Sequence, residues 1–281
     1  MMTWDVAIPV LFAALLHAGW NALVRAGTDR VLDTARIAAG AALVATPFLA
    51  FLPFPATESL PFLLASGVVH VGYFAMVAVT YRVGDLSLVY PLMRGTAPGL
   101  TAIFAALLLG EWPRALGWAG VFLIASGVLL LAFGARASAG QKFAPAGLAL
   151  ATAAIVVLYT MVDGVGARRS GNAFSYTGWM LVITALGFSP AAFFIRRRRE
   201  AVASGRWWRI ALFGGGSSFA SYALALWAMT RADIALVAAL RETSILFGAL
   251  IAVLVLRERV SRWRVLAVAL VGAGAVAIKC S

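Results

Sequence analysis

Hydrophobic positions fall into ten runs of roughly 20 residues, at about 4–25, 34–53, 61–81, 86–109, 115–134, 145–167, 173–195, 208–230, 233–256 and 262–279. Each run is apolar around its whole circumference rather than at alternate positions. That pattern predicts helices in apolar surroundings and excludes a membrane barrel, whose strands alternate. A helix of roughly 20 residues crosses a hydrocarbon core about 30 Å thick. The expected fold class is therefore an all-α polytopic membrane protein of ten transmembrane helices, here called spans 1–10.

The pattern also repeats. Arg94, Thr96, Glu111 and Gly127 recur 147 positions later as Arg241, Thr243, Glu258 and Gly274. The same Leu-Val-x-x-Leu precedes each arginine: Leu88-Val89 with Leu92, and Leu236-Val237 with Leu240. Weaker matches set His17 and Asn21 against Tyr159 and Asp163, and Tyr73 against Tyr222. Five spans per half is an odd number, so the second half must enter the membrane upside down. The expected units are residues 1–136 and 145–281, joined by a loop at 137–144. Two inverted five-helix repeats place a working site where they face each other, around a central cavity.

Composition agrees with membrane residence: 63% of positions are hydrophobic and 12% charged, with a mean hydropathy of +0.94. The net charge of +12 would suit a nucleic-acid partner only if the basic residues were gathered on one surface. They are not. The loops after odd-numbered spans hold Arg25, Arg30, Arg36, Arg82, Arg136, Lys142, Arg196 to Arg199, Arg206, Arg209, Arg257, Arg259, Arg262 and Arg264. The even loops and the termini hold only Arg114, Arg168, Arg169, Arg231 and Lys279. This bias expects cytoplasmic odd loops, both termini outside, and contact with membrane lipid but no nucleic acid. The loop after span 2 has no basic residue, whereas its counterpart after span 7 is the most basic in the chain, as inversion requires. The start, Met1-Met2-Thr3-Trp4-Asp5, lacks a basic segment and reads as part of a retained span. Cys280 is the single cysteine and can form no intrachain disulfide.

The run Leu107-Leu108-Leu109-Gly110-Glu111-Trp112, with Gly117, Gly120 and Phe122-Leu123-Ile124-Ala125-Ser126-Gly127-Val128 beyond it, resembles the closing motif of EamA-type transporters in the drug/metabolite transporter superfamily. The second copy, Leu254-Val255-Leu256-Arg257-Glu258, departs from it with Arg257 where glycine is usual. The resemblance covers essentially the whole chain. It implies a ten-helix inverted repeat in a bacterial-type inner (plasma) membrane and export of small metabolites, above all amino acids, with the aromatic amino-acid exporters as one such branch. Sugars, nucleotide-sugars or lipid-linked sugars are the alternative cargo.

Ionisable residues within apolar spans face a bundle interior or a wet cavity. Here they are His17, His70, Arg94, Asp163, Arg241 and Glu242. Helical spacing gives five of them a polar companion: Asn21 with His17, Tyr73 with His70, Tyr90 with Arg94, Tyr159 with Asp163, and Ser244 with Arg241. Ser218 and Tyr222 form a sixth stripe. The expected substrate-binding set is His17, Trp20, Asn21, His70, Tyr73, Tyr90, Arg94, Tyr159, Asp163, Tyr222, Arg241 and Ser244. Arginine would meet a carboxylate, Asp163 or Glu242 an ammonium group, and the tyrosines an apolar side chain. Asp163 and Glu242 are also the candidates for proton coupling, and Pro91 and Pro98 on span 4 for a gating hinge. Spans 2, 5, 7 and 10 offer little polar interior and are expected to form a supporting, lipid-facing layer. Glu111 and Glu258, at the ends of spans 4 and 9, read as structural.

An enzyme is the rival class. Gly214-Gly215-Gly216-Ser217-Ser218 superficially suits a serine nucleophile, but both histidines lie in the first half, and close helix approach explains the glycines better. There is no metal-ligand spacing and no phosphate-binding loop, so no cofactor or metal is expected. Ten spans suffice to enclose a cavity in a monomer.

Overall fold

The computed structural model describes residues 2–27, 29–83, 86–139, 146–196, 205–254 and 261–281. Span 1 is Trp4–Arg25, span 2 Arg30–Leu49, span 3 Leu60–Val83, span 4 Leu86–Leu109 and span 5 Ala115–Ala139. Span 6 is Ala146–Arg169, span 7 Ala173–Arg196 and span 10 Arg262–Cys280. Span 8 is assembled from Gly205–Arg209, a π-helical turn Ile210–Gly214, and Gly215–Met229. Span 9 comprises Ile234–Arg241 and Ser244–Leu254. All ten are long and apolar enough to cross a membrane, and the protein is a multi-pass membrane protein.

Three elements differ from the hydropathy reading. Span 2 begins at Arg30 rather than 34, because polar groups start it: the Asp29 carboxylate accepts from the Leu32 N–H at 3.1 Å, and Asp33 pairs with Arg36 at 2.6 Å. Span 5 stays helical through Ala139, into the expected joint, and residues 140–145 lie outside the described set. Span 9 breaks at Glu242-Thr243, although neither glycine nor proline marks the place. There the Thr243 hydroxyl donates to the Leu240 carbonyl at 2.7 Å. The amides of Glu242 and Thr243 reach back only three residues, to Ala239 and Leu240, as in a 3₁₀ turn. Span 4, by contrast, stays helical through both prolines.

Glycines set the closest helix contacts. A Cβ on Gly120 would sit 2.8 Å from the Gly274 carbonyl oxygen, and one on Gly127 would sit 3.0 Å from that of Ala267. Advancing 127 and 120 by the repeat offset gives 274 and 267, so the two contacts exchange under the repeat. Spans 5 and 10 thus pack about the pseudo-two-fold axis. Spans 2 and 8 touch backbone to backbone at the triple glycine, where a Cβ on Gly215 would collide with the main chain at Gly40. A Cβ on Gly40 would collide in turn with the Ala211 carbonyl. Because backbone cannot step aside there, Gly40→Ala should cost at least about 3 kcal/mol, the upper range for overpacking. A fall in the unfolding midpoint of the solubilised protein checks this, with Gly19→Ala, in open space, as the control.

The main apolar core is asymmetric across the membrane. Val6 and Val10 of span 1, Leu63 of span 3, Tyr176 and Met180 of span 7, Leu226 and Met229 of span 8 and Ile234 of span 9 all belong to it. Each lies in the part of its span nearer the even-numbered loops, so that half of the bundle is filled. The other half holds the cavity.

Candidate functional site

Spans 4 and 9 meet where the repeated arginines lie, and bring them to the cavity floor. Arg94 is 5% exposed and its guanidinium grips Glu242 with both prongs, at 2.6 Å and 3.1 Å. The forked geometry satisfies two carboxylate oxygens with one planar cation. The equivalent of Glu242 in the first half is Gly95, where a Cβ would lie 2.7 Å from Leu129, so the pairing has no symmetry mate. Arg241 is 8% exposed. Its guanidinium lies 5.0 Å over the face of Tyr222, and its Nε is buried without a hydrogen-bond partner. Among the described residues it has no carboxylate within ion-pair distance. The repeated threonines turn back on their own helices: Thr96 donates to the Leu92 carbonyl at 2.6 Å, as Thr243 does to Leu240.

Asp163 on span 6 is fully buried and works as an acceptor hub. The hydroxyls of Tyr222 and Tyr176 donate to its two oxygens at 2.5 Å and 3.2 Å, and His70 Nε2 lies 3.8 Å away. His70 Nδ1 lies 3.0 Å from the Ser66 carbonyl oxygen and 3.2 Å from the Ser66 hydroxyl, and its Nε2 points at the carboxylate. Tyr176 is absent from the expected set, although a tyrosine in an apolar span is signal enough to include it.

The cavity between these groups measures about 150 Å³, the size of an engineered protein cavity that takes up benzene. Its walls include His17, Trp20 and Asn21 of span 1, His70 and Tyr73 of span 3, and Tyr90 of span 4. Tyr159, Tyr222, Arg94 and Arg241 complete the expected residues that line it. Asp163 and Ser244 do not line it, and Glu242 lines only a small polar cavity of about 10 Å³ beneath Arg94 and Arg241. The Asn21 amide donates to the His17 carbonyl at 2.8 Å, and the rings of His17 and Trp20 meet edge to face at 5.0 Å. His70 lies 4.6 Å from the Tyr159 ring.

Spans 2 and 7 do line the cavity, through Thr34, Ile37 and Ala38 and through Met180, Leu181 and Thr184. This corrects the expected lipid-facing role for those two. Helical periodicity detects polar stripes, and an apolar substrate wall shows none. Among the described residues, spans 5 and 10 contribute none to the lining. Among the described residues no His, Cys, Asp or Glu cluster is placed to hold a metal.

Val24, Thr34, Val77 and Tyr90 carry the cavity toward the odd loops, whereas the even-loop face is tied together. Gly110, with φ of 69°, turns the chain after span 4 and delivers Glu111 to the end of span 9, where its carboxylate accepts from the Ile234 N–H at 2.8 Å. Its other oxygen pairs with Arg168, which also donates to the carbonyls of Met229 at 2.6 Å and Ala232 at 2.9 Å. Between loops 2 and 6, the Ser175 hydroxyl donates to the Pro53 carbonyl at 2.7 Å and the Ala56 N–H to that of Ser170 at 3.1 Å. Arg168, which reads in the sequence only as a loop charge, is the partner that explains Glu111. Glu258 and Arg257 lie outside the described residues.

Residues 144–279 match the EamA-like transporter family. That match covers spans 6 to 10, just under half of the chain. A solved structure titled only "Crystal structure of protein" shares the fold, with a TM-score of 0.72 over 97% of this chain and 94% of that one at 22% identity. No curated protein matches the chain.

Proposed function

We propose that this EamA-like protein exports amino acids with apolar or aromatic side chains, through alternating closure of the halves 1–136 and 145–281 over their shared cavity. The observation that carries the reading is the wall itself: two buried arginines at the floor, with tyrosines, His17, His70 and Trp20 around a space sized for one ring. We place the odd loops in the cytoplasm of an inner (plasma) membrane and both termini outside. The conformation described is then a loading state, filled by its core and latched at the outer face. Pro91 and Pro98, which leave span 4 helical, and the broken turn in span 9 are the places where the floor would bend.

Proton coupling is assigned to Asp163, with His70 as its cavity-facing partner. Glu242 is committed to Arg94 and is the poorer carrier. Purified protein in liposomes should release trapped labelled phenylalanine. Movement of a hexose or nucleotide-sugar without any of phenylalanine would overturn the amino-acid reading. One pH unit across the membrane is worth about 1.4 kcal/mol, close to a tenfold driving ratio. That gradient should accelerate wild-type efflux and leave Asp163→Asn unmoved, and a wild-type rate indifferent to it rejects coupling.

A further inference from the structure

Among the described residues, charges of one sign only line the cavity. The carboxylates buried beside its floor and its wall are both taken. Glu242 is gripped by Arg94 beneath the floor, and Asp163 sits behind the wall as acceptor for Tyr176 and Tyr222. Neither lines the main space. Arg241 lines it with a guanidinium that no carboxylate among the described residues neutralises, and its buried Nε is unsatisfied. A guanidinium stays protonated at any physiological pH and presents a fork matched to a carboxylate. The asymmetry comes from one position in the repeat: Glu242 neutralises Arg94, while Gly95 supplies nothing to Arg241.

We infer that Arg241 is an anion subsite and that the transporter recognises its cargo as an apolar monocarboxylate, with the α-ammonium group dispensable. This rests on the amino-acid reading and sharpens it. The ammonium meets only neutral groups, the Asn21 amide and the tyrosine hydroxyls and faces, which discriminate weakly. The carboxylate is required, because without it a buried cation stays unpaired. Phe74, Leu181 and Ile37 receive the side chain. The cargo class therefore extends beyond amino acids to arylalkanoates of the same length.

Equilibrium binding to the full, detergent-solubilised protein separates the possibilities with three probes that differ by one group: L-phenylalanine, 3-phenylpropionate and L-phenylalaninamide. The first two should bind within about fivefold of each other, and the amide at least about 30-fold more weakly, the loss expected for a charge-assisted pair left unmade. Arg241→Gln should abolish the preference for carboxylate over amide, and Arg241→Lys should restore part of it as a point charge without the fork. Phenylalanine binding while 3-phenylpropionate does not overturns the inference and leaves the amino-acid reading standing. So does an amide that binds as well as phenylalanine, or a preference unchanged in Arg241→Gln. Failure of all three probes with the wild-type protein overturns the amino-acid reading and this inference together. If Arg241→Gln does not fold, the wild-type probe ranking and the Arg241→Lys ranking still decide the matter.

Discussion

Glu242→Gln should remove about 3–5 kcal/mol of stability, the cost of breaking a buried ion pair and leaving one charge uncompensated. Arg94 is 5% exposed and makes its two close contacts to this carboxylate, so the loss of either partner leaves a largely desolvated charge. The double variant Arg94→Leu/Glu242→Leu should recover most of the loss, since removing both charges also removes the desolvation they endure. Unfolding midpoints of the wild type, Glu242→Gln and the double variant in detergent measure this. Equal stability of wild type and Glu242→Gln would show that the pair is not holding spans 4 and 9 together. The single variant would also leave two free cations on the cavity floor and shift its preference toward dianionic ligands.

Glu111→Ala should open the even-loop face. The substitution removes the acceptor for the span 9 amide at Ile234 and the counterion of Arg168. Hydrogen bonds to charged groups are worth about 1.5–3 kcal/mol when buried. The Arg168 side chain is 32% exposed, so its share is screened down toward the surface value of about 1 kcal/mol. Together the loss is about 2–4 kcal/mol from the latched state alone, which shifts the balance between latched and open faces by about 30- to 1,000-fold. A cysteine placed at Ala238, which lines the small cavity under the floor, reports the change. With Cys280 replaced by serine, that cysteine should become reactive from the even-loop side only when Glu111 is replaced. Labelling unchanged by the substitution would reduce Glu111 to a helix cap.

Ten spans are legible in the sequence because nothing but a membrane accommodates runs apolar on every side. The inversion is legible because loop charge reverses between corresponding loops. The floor is partly legible: Arg94 and Arg241 stand out as cations in apolar spans. Which of them is free depends on a contact between residues 148 positions apart, which no local spacing reveals. Asp163 points to a polar centre, but whether it faces the cavity or the wall behind it is set by Tyr176 and Tyr222, from two other spans. Spans 2 and 7 escape the sequence reading because helical periodicity finds polar stripes, while a wall for an apolar cargo is made of Ile37, Leu181 and Met180. The break in span 9 has no glycine or proline to announce it. The Gly110-Glu111 motif is visible, yet its purpose needs Arg168, a residue that sequence reads as a topology signal.

Two inverted halves closing in turn over one cavity is the central claim, and Ser218 on its wall is the place to test it. A protein with serine at position 280 and a single cysteine at 218 is treated with a membrane-impermeant maleimide, in intact spheroplasts and in inside-out vesicles. The cysteine should react from the odd-loop side, be protected there by phenylalanine, and become reachable from the even-loop side when Glu111→Ala is added. Reaction from both sides at once in the parent protein, or from neither with phenylalanine making no difference, would contradict it.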